Sequence, residues 1–354
     1  MKNFKKLTIV LIILTIVVAV FAFAGCTKPA KRVAPDLNFD GLGSEPNDEV
    51  AAKSIPVDKS KIKLSSENTT DPEVLASIKY LLQLSNQNNI DIDFYAAAAY
   101  GTGDAYIPSA KIVGSMDTRE WRIYDNGEYF FDSYGMIVEG YTIKSDGSKG
   151  SVMDSTLSIL SNILNFADRV YSPDSQTFYK ADNGKGAEDS FSKYPSLDAI
   201  TYKKPKITAS SLEDYIKNNY YRTSFKEYTS DNLEYEKAIL NGSLVYDEVN
   251  GIYTLECEIN CQDEIALELS IASMKESSGT DIFKYAKKSL KIEIWDCGLI
   301  KSYINENVWE ATLVPDLLKL KGSSENYYEQ LFSYNKEDIQ KMLIPEDIKS
   351  TWTK

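Results

Sequence analysis

The chain contains four cysteines, whose thiols are its most distinctive reactive groups: Cys26, Cys257, Cys261 and Cys297. The chain contains no His, which excludes Ser-His-Asp and Cys-His catalysis, His general bases and His-ligated metal sites. A Cys nucleophile would have no imidazole to activate it, and three Cys without His make a poor zinc site. We therefore expect structural or modified thiols, with no metal and no cofactor.

Carboxylates are the acid–base groups that remain. Pairs occur at Asp91/Asp93 and Glu256/Glu258, and paired carboxylates can hydrolyse glycosidic bonds when burial raises the pKa of one of them. Both pairs occupy alternating positions, which more simply predicts the solvated faces of strands. No glycine-rich phosphate loop or dinucleotide fingerprint is present. The sequence thus favours a protein that is not an enzyme, with a carboxylate-based cell-wall glycosidase as a minor alternative.

The N-terminal 25 residues have the composition of an export signal. Lys2, Lys5 and Lys6 precede an uncharged, mostly apolar run over residues 7–24. The run ends Phe23-Ala24-Gly25-Cys26, which resembles the lipobox of bacterial membrane lipoproteins, with Phe23 where that family usually has Leu. The resemblance implies cleavage before Cys26 and attachment of diacylglycerol to its sulfur. An uncleaved transmembrane helix is the alternative, since about 18 apolar residues can span a bilayer.

Either reading places the body of the protein outside the cell and tethered to the membrane. The net charge of −13 becomes −16 when the three lysines of the signal are removed. The absence of a basic stripe argues against nucleic acid as a partner, because such binding depends on neutralising phosphates. An acidic body is repelled by anionic headgroups, so the lipid must supply the anchoring.

The chain after the signal divides into three predicted parts. Residues 26–70 are polar and contain four prolines after Cys26, which predicts the lipidated Cys followed by a flexible, disordered linker. Residues 71–205 and 206–354 are then predicted to form two modules. Each module is expected to combine antiparallel sheet with packed helices, which makes the fold class α+β.

The first module is predicted to begin with a helix. Asp71 can cap it, Pro72 suits its first turn, and apolar residues follow at helical spacing. The helix is expected to end in the polar cluster at 86–89, before a strand at 90–94.

Two Asn-Gly pairs predict β-hairpins, because this pair suits the tight turns that join antiparallel strands. They are Asn126-Gly127 in the first module and Asn250-Gly251 in the second. Asp296-Cys297-Gly298 is expected to turn a strand at 290–295 into its partner. Further helices are predicted over 151–171, 211–220, 263–275, 324–334 and 336–343.

This order of elements, a helix followed by antiparallel hairpins with another helix laid across them, resembles the half-barrel of LolA- and LppX-type lipoproteins and lipoprotein carriers. The resemblance covers about residues 71–320 and includes no diagnostic motif. It implies a curved sheet around a helix, with a groove that holds lipid tails.

Three thiols remain once Cys26 is acylated, so at most one disulfide forms and one thiol is left over. Cys257 and Cys261 on one strand would lie about 13 Å apart, too far to bridge unless a turn intervenes. A pair that includes Cys297 is favoured if the two hairpins are neighbours, but spacing leaves all three pairings open.

The sequence therefore predicts a membrane-anchored extracellular lipoprotein that is not an enzyme and binds an apolar ligand or an envelope partner. A solute-binding lipoprotein of an importer is the alternative. That class normally needs two lobes with parallel strands, whereas the hairpin signals here indicate antiparallel pairing.

Overall fold

The computed structural model describes residues 41–107, 111–152, 166–182, 206–209, 239–260, 283–313, 320–339, 343–344 and 346–352. The helices are α1 (Asp48–Lys53), α2 (Pro72–Asp91) and α3 (Glu346–Thr351), with a 3-10 turn at Lys59–Lys61. The strands are β1 (Ser65–Thr69), β2 (Phe94–Ile107), β3 (Ile112–Asp125), β4 (Glu128–Ile143), β5 (Lys149–Ser151), β6 (Phe166–Ser172), β7 (Phe178–Asp182), β8 (Lys206–Ala209), β9 (Ile239–Asp247), β10 (Ile252–Ile259), β11 (Phe283–Trp295), β12 (Ile300–Leu313) and β13 (Leu320–Ser333).

The thirteen strands of the described residues belong to one antiparallel sheet. Its order is β1-β9-β10-β11-β12-β13-β2-β3-β4-β6-β7-β8, and β5 pairs with β4 outside this path. Strand β13, late in the chain, pairs with the early strand β2 along most of its length, from Ser323↔Tyr106 to Ser333↔Ala96. The predicted α+β class with two separate sheets is therefore wrong. The expected boundary at 205/206 adjoins undescribed residues and stays a prediction.

One face of the sheet packs against α2, and we call it the helix face. Val74, Ile78 and Leu81 of α2 are buried against the sheet, where Leu255 and Ile292 are among their partners. Burying such side chains contributes about 1.5–3 kcal/mol each. The N-terminus of α2 forms as predicted: Pro72 opens it, and the Asp71 carboxylate accepts a hydrogen bond from the Glu73 N–H.

The other face, which we call the opposite face, is partly covered by the C-terminal segment. Ile339, Ile344 and Ile348 pack with Ile123 and Phe130 of β3 and β4. Two ion pairs fix this segment to the sheet: Lys336 with Asp125, and Lys349 with Glu128 at 2.8 Å. Gly43 is also held to the sheet, since its N–H donates to the Phe332 carbonyl at 2.6 Å.

Both Asn-Gly hairpins are confirmed. Asn126 and Gly127 have positive φ and join β3 to β4 with Asp125 opposite Glu128. Asn250-Gly251 lies in the loop between β9 and β10, where Asp247 pairs with Ile252. The turn at 296–298 also joins β11 to β12 as predicted.

Several predicted elements are wrong. Helix α2 continues through 86–91, so the expected strand at 90–94 is the end of a helix followed by the start of β2. Residues 166–171, expected to be helical, lie in β6, and the helix expected at 324–334 is part of β13. In both strands, pairing with neighbours on either side overrides a local helical pattern. Residues 336–339 form a turn where a helix was expected.

Part of the predicted linker is also ordered. Residues 48–69 form α1, the 3-10 turn and β1, and β1 pairs with β9 at the sheet edge. The signal, residues 26–40 of the linker with Cys26, residues 153–165 of the helix predicted at 151–171, and the helices predicted at 211–220 and 263–275 lie outside the described residues.

Candidate functional site

A row of polar side chains crosses the opposite face of the sheet. The strand register places Glu258 beside Ser289, Ser289 beside Glu306, and Glu306 beside Tyr327, which neighbours Thr102. The row therefore spans five strands from β10 to β2. Successive side chains of a strand point to opposite faces, so the same strands bury apolar residues on the helix face and carry this row on the opposite face. Thr102 is buried, and the other four residues of the row are half-buried.

Two cavities of about 430 Å³ and about 150 Å³ lie along the row and share Lys287, Glu306 and Tyr327. We call them together the polar groove. Its charged lining consists of five carboxylates and two lysines: Asp104, Glu256, Glu258, Glu306, Glu325, Lys287 and Lys291. The excess of carboxylates makes the groove attractive to positively charged groups.

Hydrogen bonds hold the walls of the groove. The Lys291 ammonium lies 2.9 Å from Glu256, and the Asn241 amide donates to Glu258 at 2.9 Å. The Tyr327 hydroxyl donates to Glu329 at 2.7 Å. Burial, together with this bond to a carboxylate, raises the pKa of Tyr327 above its ordinary value, so the phenol stays neutral at physiological pH.

The structure brings one predicted carboxylate pair to the groove and separates the other from it. Glu256 and Glu258 point to the solvated face of β10, as predicted. Asp91 is the last residue of α2, and Asp93, just before β2, is exposed and lies 3.2 Å from Lys53. Sequence reasoning missed Lys287, Glu306 and Tyr327, because their common row exists only in the tertiary pairing of β11, β12 and β13.

The described thiols are not bridged. Cys257 is buried on the helix face and Cys297 lies in the β11–β12 turn, and both are free. Cys257 pairs with Leu290, seven residues before Cys297, a separation of roughly 20 Å along the strand. Burial raises the pKa of Cys257 to about 12, which keeps it unreactive. Cys26 and Cys261 lie outside the described residues, so lipidation and any pairing with Cys261 stay predictions.

Several aromatic residues of the described ranges belong to the core. Tyr129, Tyr141 and Trp295 are all buried.

Within the described ranges, no group of three Cys, Asp or Glu residues is placed to hold a metal ion. None of the helices in the described part of the chain has both the length and the apolar character to cross a bilayer.

The sequence matches no known family profile and no curated protein. Among solved structures, lipovitellin, in a study of its lipid–protein interactions, is 7% identical over 68% of this chain, with a TM-score of 0.28. Neisserial surface protein A is 5% identical (TM-score 0.18, 68% of this chain and 96% of that one). The translocator domain of the autotransporter NalP from Neisseria meningitidis is 8% identical (TM-score 0.15, 72% and 95%).

This chain spans only 25% of the lipovitellin chain. All three TM-scores are too low to carry an argument about fold or function.

Proposed function

We propose that this protein is an extracellular lipoprotein, anchored to the bacterial cell membrane through Cys26, that is not an enzyme and binds a hydrophilic, positively charged envelope partner. The observation that carries the proposal is the polar groove, a cavity whose charged lining has carboxylates in excess of lysines. Complementary charge speeds association and selects partners.

The apolar-ligand version of this function has less support from the described geometry. The helix face, where a lipid tail would lie in a half-barrel, is filled at α2 by buried side chains such as Ile78, Leu82 and Leu255. The importer alternative also lacks support, because every described strand pair is antiparallel.

The anchor is tested on its own. Mass spectrometry of the protein purified from membranes should find a diacylglycerol thioether on Cys26 as the first residue. The Cys26→Ser variant should lose the modification. An unmodified sulfur at position 26 contradicts the anchor but leaves the groove untouched.

The groove is tested with labelled oligolysine and oligoglutamate peptides, by fluorescence anisotropy at low and high salt. Oligolysine should bind, and the double variant Glu256→Gln with Glu306→Gln should weaken binding at least about tenfold, or about 1.4 kcal/mol. The double variant Glu139→Gln with Glu49→Gln is the matched control, because it also removes two carboxylates, and both are exposed and lie outside the groove.

Equal weakening by the control and the groove variant would show that only net charge matters, and would refute the groove as a recognition site. Binding of a labelled fatty acid that survives the groove variant would instead favour the apolar-ligand function.

A further inference from the structure

The polar groove consists of two lobes that differ in charge, and Lys287 belongs to both. The smaller lobe, of about 150 Å³, is lined by three carboxylates, Asp104, Glu306 and Glu325, and by Lys287 as its one lysine. The larger lobe, of about 430 Å³, also has three carboxylates, but it contains Lys291 as a second lysine. The smaller lobe is therefore the more acidic of the two.

Two carboxylates of the smaller lobe face each other across neighbouring strands. Glu325 of β13 pairs directly with Asp104 of β2, and the Ser115 hydroxyl donates to Asp104 at 2.6 Å. Like charges directly opposite each other destabilise a sheet. A cationic group between the two carboxylates offsets this repulsion, so the smaller lobe favours an ammonium or guanidinium group.

Lys287 lies where the two lobes meet. Its side chain is exposed on β11, next to Val308 of β12. The Lys291 ammonium lies 2.9 Å from Glu256, whereas no ion pair of the described residues includes Lys287. The Lys287 ammonium is therefore available to a ligand that passes from one lobe to the other.

Strand spacing sets the separation between the acidic and the basic position. Lys287 and Glu325 lie on either side of Val308, two strands apart, which corresponds to about 10 Å between their Cα atoms. Residues i and i+2 of an extended peptide are about 7 Å apart and point to the same side. An extended peptide with Lys and Glu two residues apart can therefore contact both positions, because long side chains cover the difference.

Attraction by net charge alone favours the most cationic peptide. Lys287 opposes this preference beside the smaller lobe, since it repels a second cation and attracts a carboxylate. We propose that the polar groove selects a mixed-charge peptide segment, whose cationic side chain enters the smaller lobe and whose acidic side chain pairs with Lys287. This inference rests on the proposed function, because it specifies the chemistry of the positively charged partner.

Two labelled peptides with blocked termini test the inference: Lys-Gly-Glu-Gly-Lys and Lys-Gly-Gln-Gly-Lys. Both are symmetric, so the direction in which the peptide crosses the groove does not matter. Their binding to the full-length protein in detergent is measured by fluorescence anisotropy at low salt. The glutamate peptide should bind about threefold more tightly, an effect within the range of exposed ion pairs. The glutamine peptide should bind less tightly although it carries one more positive charge.

The variant Lys287→Gln should reverse this order, so that the glutamine peptide binds more tightly. It should also strengthen the binding of oligolysine, because a repelling charge is removed. Lys144→Gln is the matched control, since Lys144 is an exposed lysine just after β4 that lines neither lobe. This control removes the same charge and should leave the order of the two peptides unchanged.

Tighter binding of the glutamine peptide to the wild type overturns this inference and leaves the preference of the groove for cations intact. An equal effect of Lys287→Gln and Lys144→Gln on the order of the peptides also overturns it. If both peptides and oligolysine fail to bind, the groove itself is refuted as a recognition site. The wild-type comparison needs no substitution, so it decides even if Lys287→Gln does not fold.

Discussion

The ion pair between Asp132 and Arg169 gives a stringent test of the sheet as described. The residues lie directly opposite each other on β4 and β6. The Asp132 side chain is fully buried, and Arg169 is 16% exposed. Both Nε, at 3.0 Å, and a terminal nitrogen of Arg169 donate to one oxygen of Asp132. Replacing Arg169 by Met leaves a buried carboxylate without its cation.

Breaking such a pair from one side costs about 3–5 kcal/mol. Arg169→Met should therefore lower the free energy of unfolding by about that amount, as measured by urea unfolding followed by tryptophan fluorescence. The double variant Arg169→Met with Asp132→Leu should recover at least about 2 kcal/mol, because replacing a whole buried pair by apolar residues is often close to neutral.

The matched control is Lys291→Met. Lys291 also faces its partner, Glu256, on the adjacent strand, but the two side chains are 45% and 55% exposed. Exposed pairs contribute about 0–1 kcal/mol. If Arg169→Met costs no more than Lys291→Met, or if the double variant is less stable than Arg169→Met alone, the burial and pairing of Asp132 described above are wrong.

Two further predictions concern the helix face and a turn. Gly298→Ala should lower the free energy of unfolding by about 1–3 kcal/mol in the same urea assay. The φ of Gly298 is +85°, and an added Cβ would clash with the Asn88 amide nitrogen. An unfolding midpoint equal to that of the wild type would contradict this prediction. Burial raises the pKa of Cys257 from 9.0 to about 12, so the folded state favours the neutral thiol. Its stabilising contribution is complete below pH 9 and is lost towards pH 12. Between pH 9 and pH 12 the free energy of unfolding should therefore fall less steeply in Cys257→Ala than in the wild type. If the two plots of unfolding free energy against pH are parallel, the raised pKa of Cys257 is refuted.

The two faces of the sheet differ in chemical character. The opposite face carries the polar groove, whose charged side chains contact solvent. The helix face carries mostly buried apolar residues, with a few buried polar ones such as Arg122 and Gln330. Alternate residues of each strand point to opposite faces. A substitution on one face therefore does not replace any side chain on the other face.

The local signals in the sequence were sufficient wherever the chemistry is local. Asp71 and Pro72 mark the start of α2 because capping needs only neighbouring residues. The Asn126-Gly127 turn follows from the positive φ that both residues adopt at low cost. The absence of His, the acidic charge and the exposure of Glu256 were likewise readable from residue types and spacing.

Tertiary structure alone decided the rest. Tyr327 and Phe332 belong to a stretch with a plausible helical pattern, yet they form β13 because β12 and β2 pair along both its edges. The groove joins strands that are far apart in the chain, as in the pairing of β13 with β2. Long-range register determines which side chains share a face, and no local pattern encodes it.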